Sequence, residues 1–93
     1  MTTKNPNTTA PPTKNPITAA REARNLTRPE LSLLVGRPYS GVAAIEDGRP
    51  LALSESWRAA FEAAGFDFDQ LAADYKVWRG ARAVELGKVA LNG

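Results

Sequence analysis

Ninety-three residues carry 12 Lys and Arg against 10 Asp and Glu, a net charge of +2, with no cysteine and no histidine. That composition excludes a disulfide framework, the usual zinc ligands, the commonest general base and the thiolate nucleophile. No apolar run approaches a membrane span and the N-terminus lacks the hydrophobic stretch of a signal peptide, so one small domain in a reducing cytoplasm is expected.

A charge of +2 says nothing of nucleic acid by itself. Its distribution says slightly more: residues 1 to 49 hold seven Lys and Arg against four acids, whereas 50 to 93 hold five against six. Residues 1 to 16, MTTKNPNTTAPPTKNP, have almost nothing to bury and are expected to form a disordered tail. Thr3-Lys4-Asn5-Pro6 recurs there as Thr13-Lys14-Asn15-Pro16, which reads either as a solvated linker or as a basic arm. From Ile17 helix formers take over, with Thr18 as a cap and Ala20, Ala23 and Arg24 on successive turns until Asn25 breaks the pattern. Arg21 and Arg24 on such a helix are either solvated and paired with acids such as Glu22, or free to approach phosphates.

The stretch Leu26 to Gly48 reads as two short helices hinged at a glycine. Thr27 and Glu30 have capping-box spacing, Pro29 suits a first turn, and Leu31, Leu34 and Val35 give one apolar stripe. Gly36 ends that helix in the left-handed region. Pro38 opens the next, Tyr39 to about Glu46, which buries Val42 and Ile45 and stops at Asp47-Gly48. Two helices of about two turns joined by a tight glycine turn make a helix-turn-helix, a DNA-binding arrangement.

Arg49 to Leu53 reads as a loop, and Ser54 caps a helix from Glu55 to about Ala64 with Trp57, Ala60, Phe61 and Ala64 as a core stripe. Gly65 stops it, and Phe66 and Phe68 close the core. Asp67 or Asp69 caps a last helix through Leu71, Ala72, Tyr75 and Trp78. The domain is thus expected over 17–78, with a helical extension over 79–93. Running into it, Val77, Ala81, Val84 and Leu91 make a heptad-like pattern broken by Lys88, while Gly80 and Gly87 each cost about 1 kcal/mol of helix stability. This extension offers a seam for a homodimer, or docks on its own domain.

The run Tyr39-Ser40-Gly41-Val42-Ala43-Ala44-Ile45-Glu46-Asp47-Gly48 resembles the recognition helix of the XRE/Cro-like helix-turn-helix family. Arg21, Arg24, Leu26-Thr27 and Glu30-Leu31 extend the similarity upstream, and Phe61 and Leu71 extend it downstream, over roughly 17–72. The chain departs from the family pattern at Arg28, where glutamine is usual, at Pro38, in place of a small polar cap, and at Tyr39. The resemblance implies an all-α, five-helix, lambda-repressor-like domain whose second motif helix enters the major groove of operator DNA. It also implies that Arg28 contacts a phosphate and braces that helix.

On this reading Tyr39, Ser40, Gly41, Ala43 and Ala44 face bases, with Gly41 allowing close backbone approach. Arg28, Arg37, Arg49 and, if the tail is an arm, Lys14 face phosphates. No residue set supports catalysis, no glycine-rich phosphate loop is present, and no cofactor or metal is expected. The expected function is a transcriptional regulator of a bacterium, phage or prophage that occupies an operator, a repressor of the immunity or Cro-like kind. The alternative is a helix-turn-helix scaffold used to bind protein, antitoxin-like or regulator-binding, with the Trp78 to Leu91 tail as its contact.

Overall fold

The computed structural model describes residues 14–92, with side-chain surroundings through residue 84. The architecture is all-α: α1 Pro16–Ala23, α2 Arg28–Val35, α3 Tyr39–Glu46, α4 Arg58–Ala63 preceded by a 3₁₀ turn Glu55–Trp57, and α5 Phe68–Asn92, with no strand among the described residues. The expectations for Lys4 and the first Thr-Lys-Asn-Pro, and for the Leu91 side chain, lie outside the described residues.

The first helix starts earlier than its composition suggests. Asn15 and Pro16, read as the end of a tail, are buried, and Asn15 rather than Thr18 caps α1 by accepting the Ile17 amide at 2.8 Å. The Asn15 amide also donates to the carbonyls of Ile45 (2.8 Å) and Glu46 (3.0 Å). One side chain thereby satisfies the start of α1 and the end of α3, both rich in orphan backbone groups. Pro16 fits because the first helical position needs no N–H.

The capping box of α2 forms as its residues require: Thr27 Oγ1 accepts the Glu30 amide at 3.2 Å and Glu30 accepts the Thr27 amide at 2.8 Å. The α1–α4 helices all end in one pattern, a left-handed residue with the next amide reaching back to the last turn. The left-handed residues are Asn25, Gly36, Gly48 and Gly65, and the closing bonds run from Leu26 to Arg21, Arg37 to Ser32, Arg49 to Ala44 and Phe66 to Phe61.

Phe61, 1 % exposed, centres the core. It meets Trp57 at 5.6 Å, Phe66 edge-on at 5.6 Å and Phe68 at 6.5 Å between ring centroids, while Ile17, Leu31, Val42 and Ile45 bring α1, α2 and α3 onto the same core. One expectation changes. Leu34 is 47 % exposed, because α2 packs on α3 and α4 from one side and only Leu31 and Val35 turn inward. Leu53 lies in the loop expected there, with its side chain buried at 6 %. On the surface, Arg58 ties Glu55, Glu62 and Asp69 together.

Helix α5 clamps the turn after α3. Tyr75 Oη donates to the Pro50 carbonyl and Arg79 Nε to the Gly48 carbonyl, both at 2.7 Å. Asp67 caps it through the Gln70 amide at 3.1 Å. The helix then runs unbroken through Gly80. Trp78 is the last buried side chain through residue 84, and Val77 and Val84 are 51 % and 60 % exposed.

Gly48 and Gly36 separate two costs. Both have positive φ, but a Cβ at Gly48 would lie 2.7 Å from the Trp78 ring, whereas nothing lies within 4 Å of one at Gly36. Gly36→Ala is expected to lose only the left-handed strain, about 1–2 kcal/mol. Gly48→Ala should lose about 1–3 kcal/mol more in urea unfolding, through overpacking. Equal losses would contradict the packing of Trp78 on this turn.

Candidate nucleic-acid interface

Helix α3 shows one face to the core and one to solvent, and a buried carboxylate fixes which. Val42, Ile45 and Glu46, spaced i, i+3, i+4, all turn inward. The Glu46 side chain is 0 % exposed. Its Oε1 accepts from Thr18 Oγ1 at 2.8 Å, Arg21 Nη2 at 3.0 Å and Arg28 Nε at 3.2 Å, and its Oε2 accepts Arg21 Nε at 2.9 Å. Arg21 also donates to the Leu26 carbonyl at 2.7 Å. Donors from α1 and α2 therefore converge on one residue of α3, and no buried side-chain polar atom among the described residues lacks a partner.

Opposite this hub lies the outer face. Tyr39 is 49 % exposed, Ser40 is exposed, and Ala43 and Ala44 are half-buried beside them. Gly41 is half-buried, and a Cβ there would lie 3.4 Å from the Trp57 ring, close to an ordinary van der Waals contact. Asp47 follows at the C-terminal edge of the outer face, 40 % exposed.

The sequence-selected cations divide. Arg28 donates Nη2 to Asp47 at 3.2 Å and remains 32 % exposed, and Arg49 lies 3.6 Å from the same carboxylate with 73 % of its side chain exposed. Burial lowers the Arg28 pKa, but Glu46, Tyr39 and Asp47 outweigh it and hold the guanidinium above its ordinary value. Arg37 instead donates to the Ser56 carbonyl at 3.0 Å and lies 4.2 Å over the Trp57 ring. Lys14 pairs with Glu22 on α1 at 2.5 Å and holds that carboxyl below its usual range. Arg24, over Phe66 at 3.6 Å, donates to the carbonyls of Ala64 and Gly65. It thus closes the end of α4.

Of the residues that shape this surface, Glu46 and Asp47 are the least visible in the sequence. The available signal for Glu46 was its place four residues after Val42, on the apolar stripe. Among the described residues no cluster of Asp and Glu could hold a metal ion, and no helix is long and apolar enough to cross a membrane. Compared with models of protein families, with curated proteins and with solved structures, the chain matches none.

Removing the Glu46 charge leaves two partly buried guanidinium groups short of their acceptor. Glu46→Gln is expected to lower stability by about 2–4 kcal/mol in urea unfolding, the upper end applying if no water reaches Arg21. Arg49→Ala, at an exposed pair, should stay within about 0.5 kcal/mol of the wild type. A Glu46→Gln variant as stable as Arg49→Ala would contradict the hub.

Proposed function

We infer that this chain is a sequence-specific DNA-binding regulator of the lambda-repressor-like helix-turn-helix kind, acting on double-stranded operator DNA as a phage or prophage repressor does. The observation that carries the reading is the outer face of α3. It is a short helix tied from behind through Glu46 and Asn15. It shows Tyr39, Ser40, Ala43 and Ala44 outward and has Arg28 and Arg49 at its C-terminal edge. Small residues and hydroxyls suit the floor of a major groove: Ser40 and Tyr39 can exchange hydrogen bonds with base edges, and the alanines suit thymine methyls. The flanking guanidinium groups suit phosphates, which position without reading.

A second reading rests on different surfaces. Leu33 is 82 % exposed beside Leu34, and Val77 and Val84 stand out from α5. Such residues favour contact with protein, either a partner in an antitoxin-like or regulator-binding role or a second copy meeting along the α5 extension.

Selection from a random duplex library would supply the operator. On it, Tyr39→Ala or Ser40→Ala is expected to cost about 1–3 kcal/mol of binding and much less on random DNA. Arg49→Ala should weaken binding about equally on every sequence and flatten the salt slope by up to about one. All three variants should keep the wild-type circular dichroism. If folded variants bind as the wild type does, the groove assignment fails and the protein-binding reading replaces it.

A further inference from the structure

We propose that Arg28 and Arg49 form a single phosphate seat at the C-terminal edge of α3 and that Asp47 is its resident anion, exchanged for a backbone phosphate when DNA docks. This rests on the DNA-binding reading and adds to it a residue that restrains backbone affinity.

The geometry of Arg28 carries the argument. Its Nε is held from behind by Glu46, whose side chain is wholly buried, at 3.2 Å. That bond orients the guanidinium and leaves the outer edge, where Nη2 meets Asp47 Oδ1 at 3.2 Å. Arg49 approaches the other oxygen of the same carboxylate, Oδ2, at 3.6 Å. Two cations thus bracket one half-exposed anion beside the face that carries Tyr39 and Ser40. A phosphodiester oxygen offers those guanidinium groups what the carboxylate does, a compact anion with several lone pairs. The buried bond to Glu46 need not break for the exchange, so Arg28 is pre-organised for it.

Exchange has a signature that a simple surface charge lacks. When DNA takes the seat, its phosphate releases a condensed counterion, but the vacated Asp47 carboxylate takes up a cation. The net release is therefore smaller than the number of phosphates contacted. Replacing Asp47 by asparagine removes that uptake.

The test uses the full chain and a random-sequence duplex of roughly 20 base pairs, titrated from about 50 mM salt upward. Asp47→Asn is expected to bind about three- to tenfold more tightly at the lowest salt, with a salt slope steeper by up to about one unit. In an Arg49→Ala background, which leaves the Glu46 hub untouched, the same substitution should give a clearly smaller gain. Arg28→Ala should shrink the gain too where circular dichroism shows that it folds. A wild type that binds, with a folded Asp47→Asn variant of unchanged affinity and slope, overturns the seat alone. An equal gain in the Arg49→Ala background also overturns it, since Asp47 would then act only as a distant charge. If neither the wild type nor Asp47→Asn binds the duplex at any salt, the seat and the DNA-binding reading fall together.

Discussion

The Glu46 carboxylate is the constraint on which the arrangement of the first three helices depends. A fully desolvated carboxylate is tolerable only when its lone pairs are satisfied and its charge compensated. Here one hydroxyl and one guanidinium come from α1 and a second guanidinium from α2. Hydrogen bonds demand direction where apolar contact does not, so these three donors limit how α3 can rotate against its neighbours. Leu31, Val42 and Ile45 supply burial, but their packing alone would allow other registers. The Asn15 amide on the last carbonyls of α3 adds a second directional tie at the same end. Both ties act on the core side of the helix and leave Tyr39 and Ser40 outward.

The same hub links structure to the proposed role. Arg28 is at once a strut, through Nε on Glu46, and an edge of the outer surface, through Nη2 on Asp47. The family resemblance gave this position a phosphate contact and a bracing duty. The bracing is visible in the hydrogen bonds, and the phosphate contact belongs to the proposal. Clamping of the Gly48 turn by Tyr75 and Arg79 extends the rigid support into α5. A surface meant to read bases gains from such support, because loose contacts spend binding energy on ordering.

Features set by neighbouring residues were legible from the chain alone. The Thr27/Glu30 capping box, the glycine stops at 36, 48 and 65, and the Trp57 and Phe61 stripe all depend on spacings of four residues or fewer, and all are present. Features set by distant partners were not. Glu46 looks like a solvated acid until Arg21 and Arg28 arrive from 25 and 18 positions away. Asn15 looks like tail until the end of α3 offers it two carbonyls. Leu34 was misjudged for a related reason: the facing of a two-turn helix depends on which neighbours cover it, and α3 and α4 cover α2 from one side only. Of the expected DNA-facing residues, Tyr39, Ser40, Arg28 and Arg49 share one surface. Arg37 and Lys14 are engaged elsewhere.

The account turns on whether the outer face of α3 is the surface that meets DNA. Amide and side-chain NMR shifts of the isotope-labelled chain, followed while a duplex is titrated in, test this most directly. The account predicts changes concentrated at Tyr39, Ser40, Ala43, Ala44, Asp47 and the Arg28 and Arg49 guanidinium groups, with Leu33, Leu34 and Val77 left unmoved. Shifts confined to Leu33, Leu34 and the exposed side of α5, or no shifts at all, would contradict it.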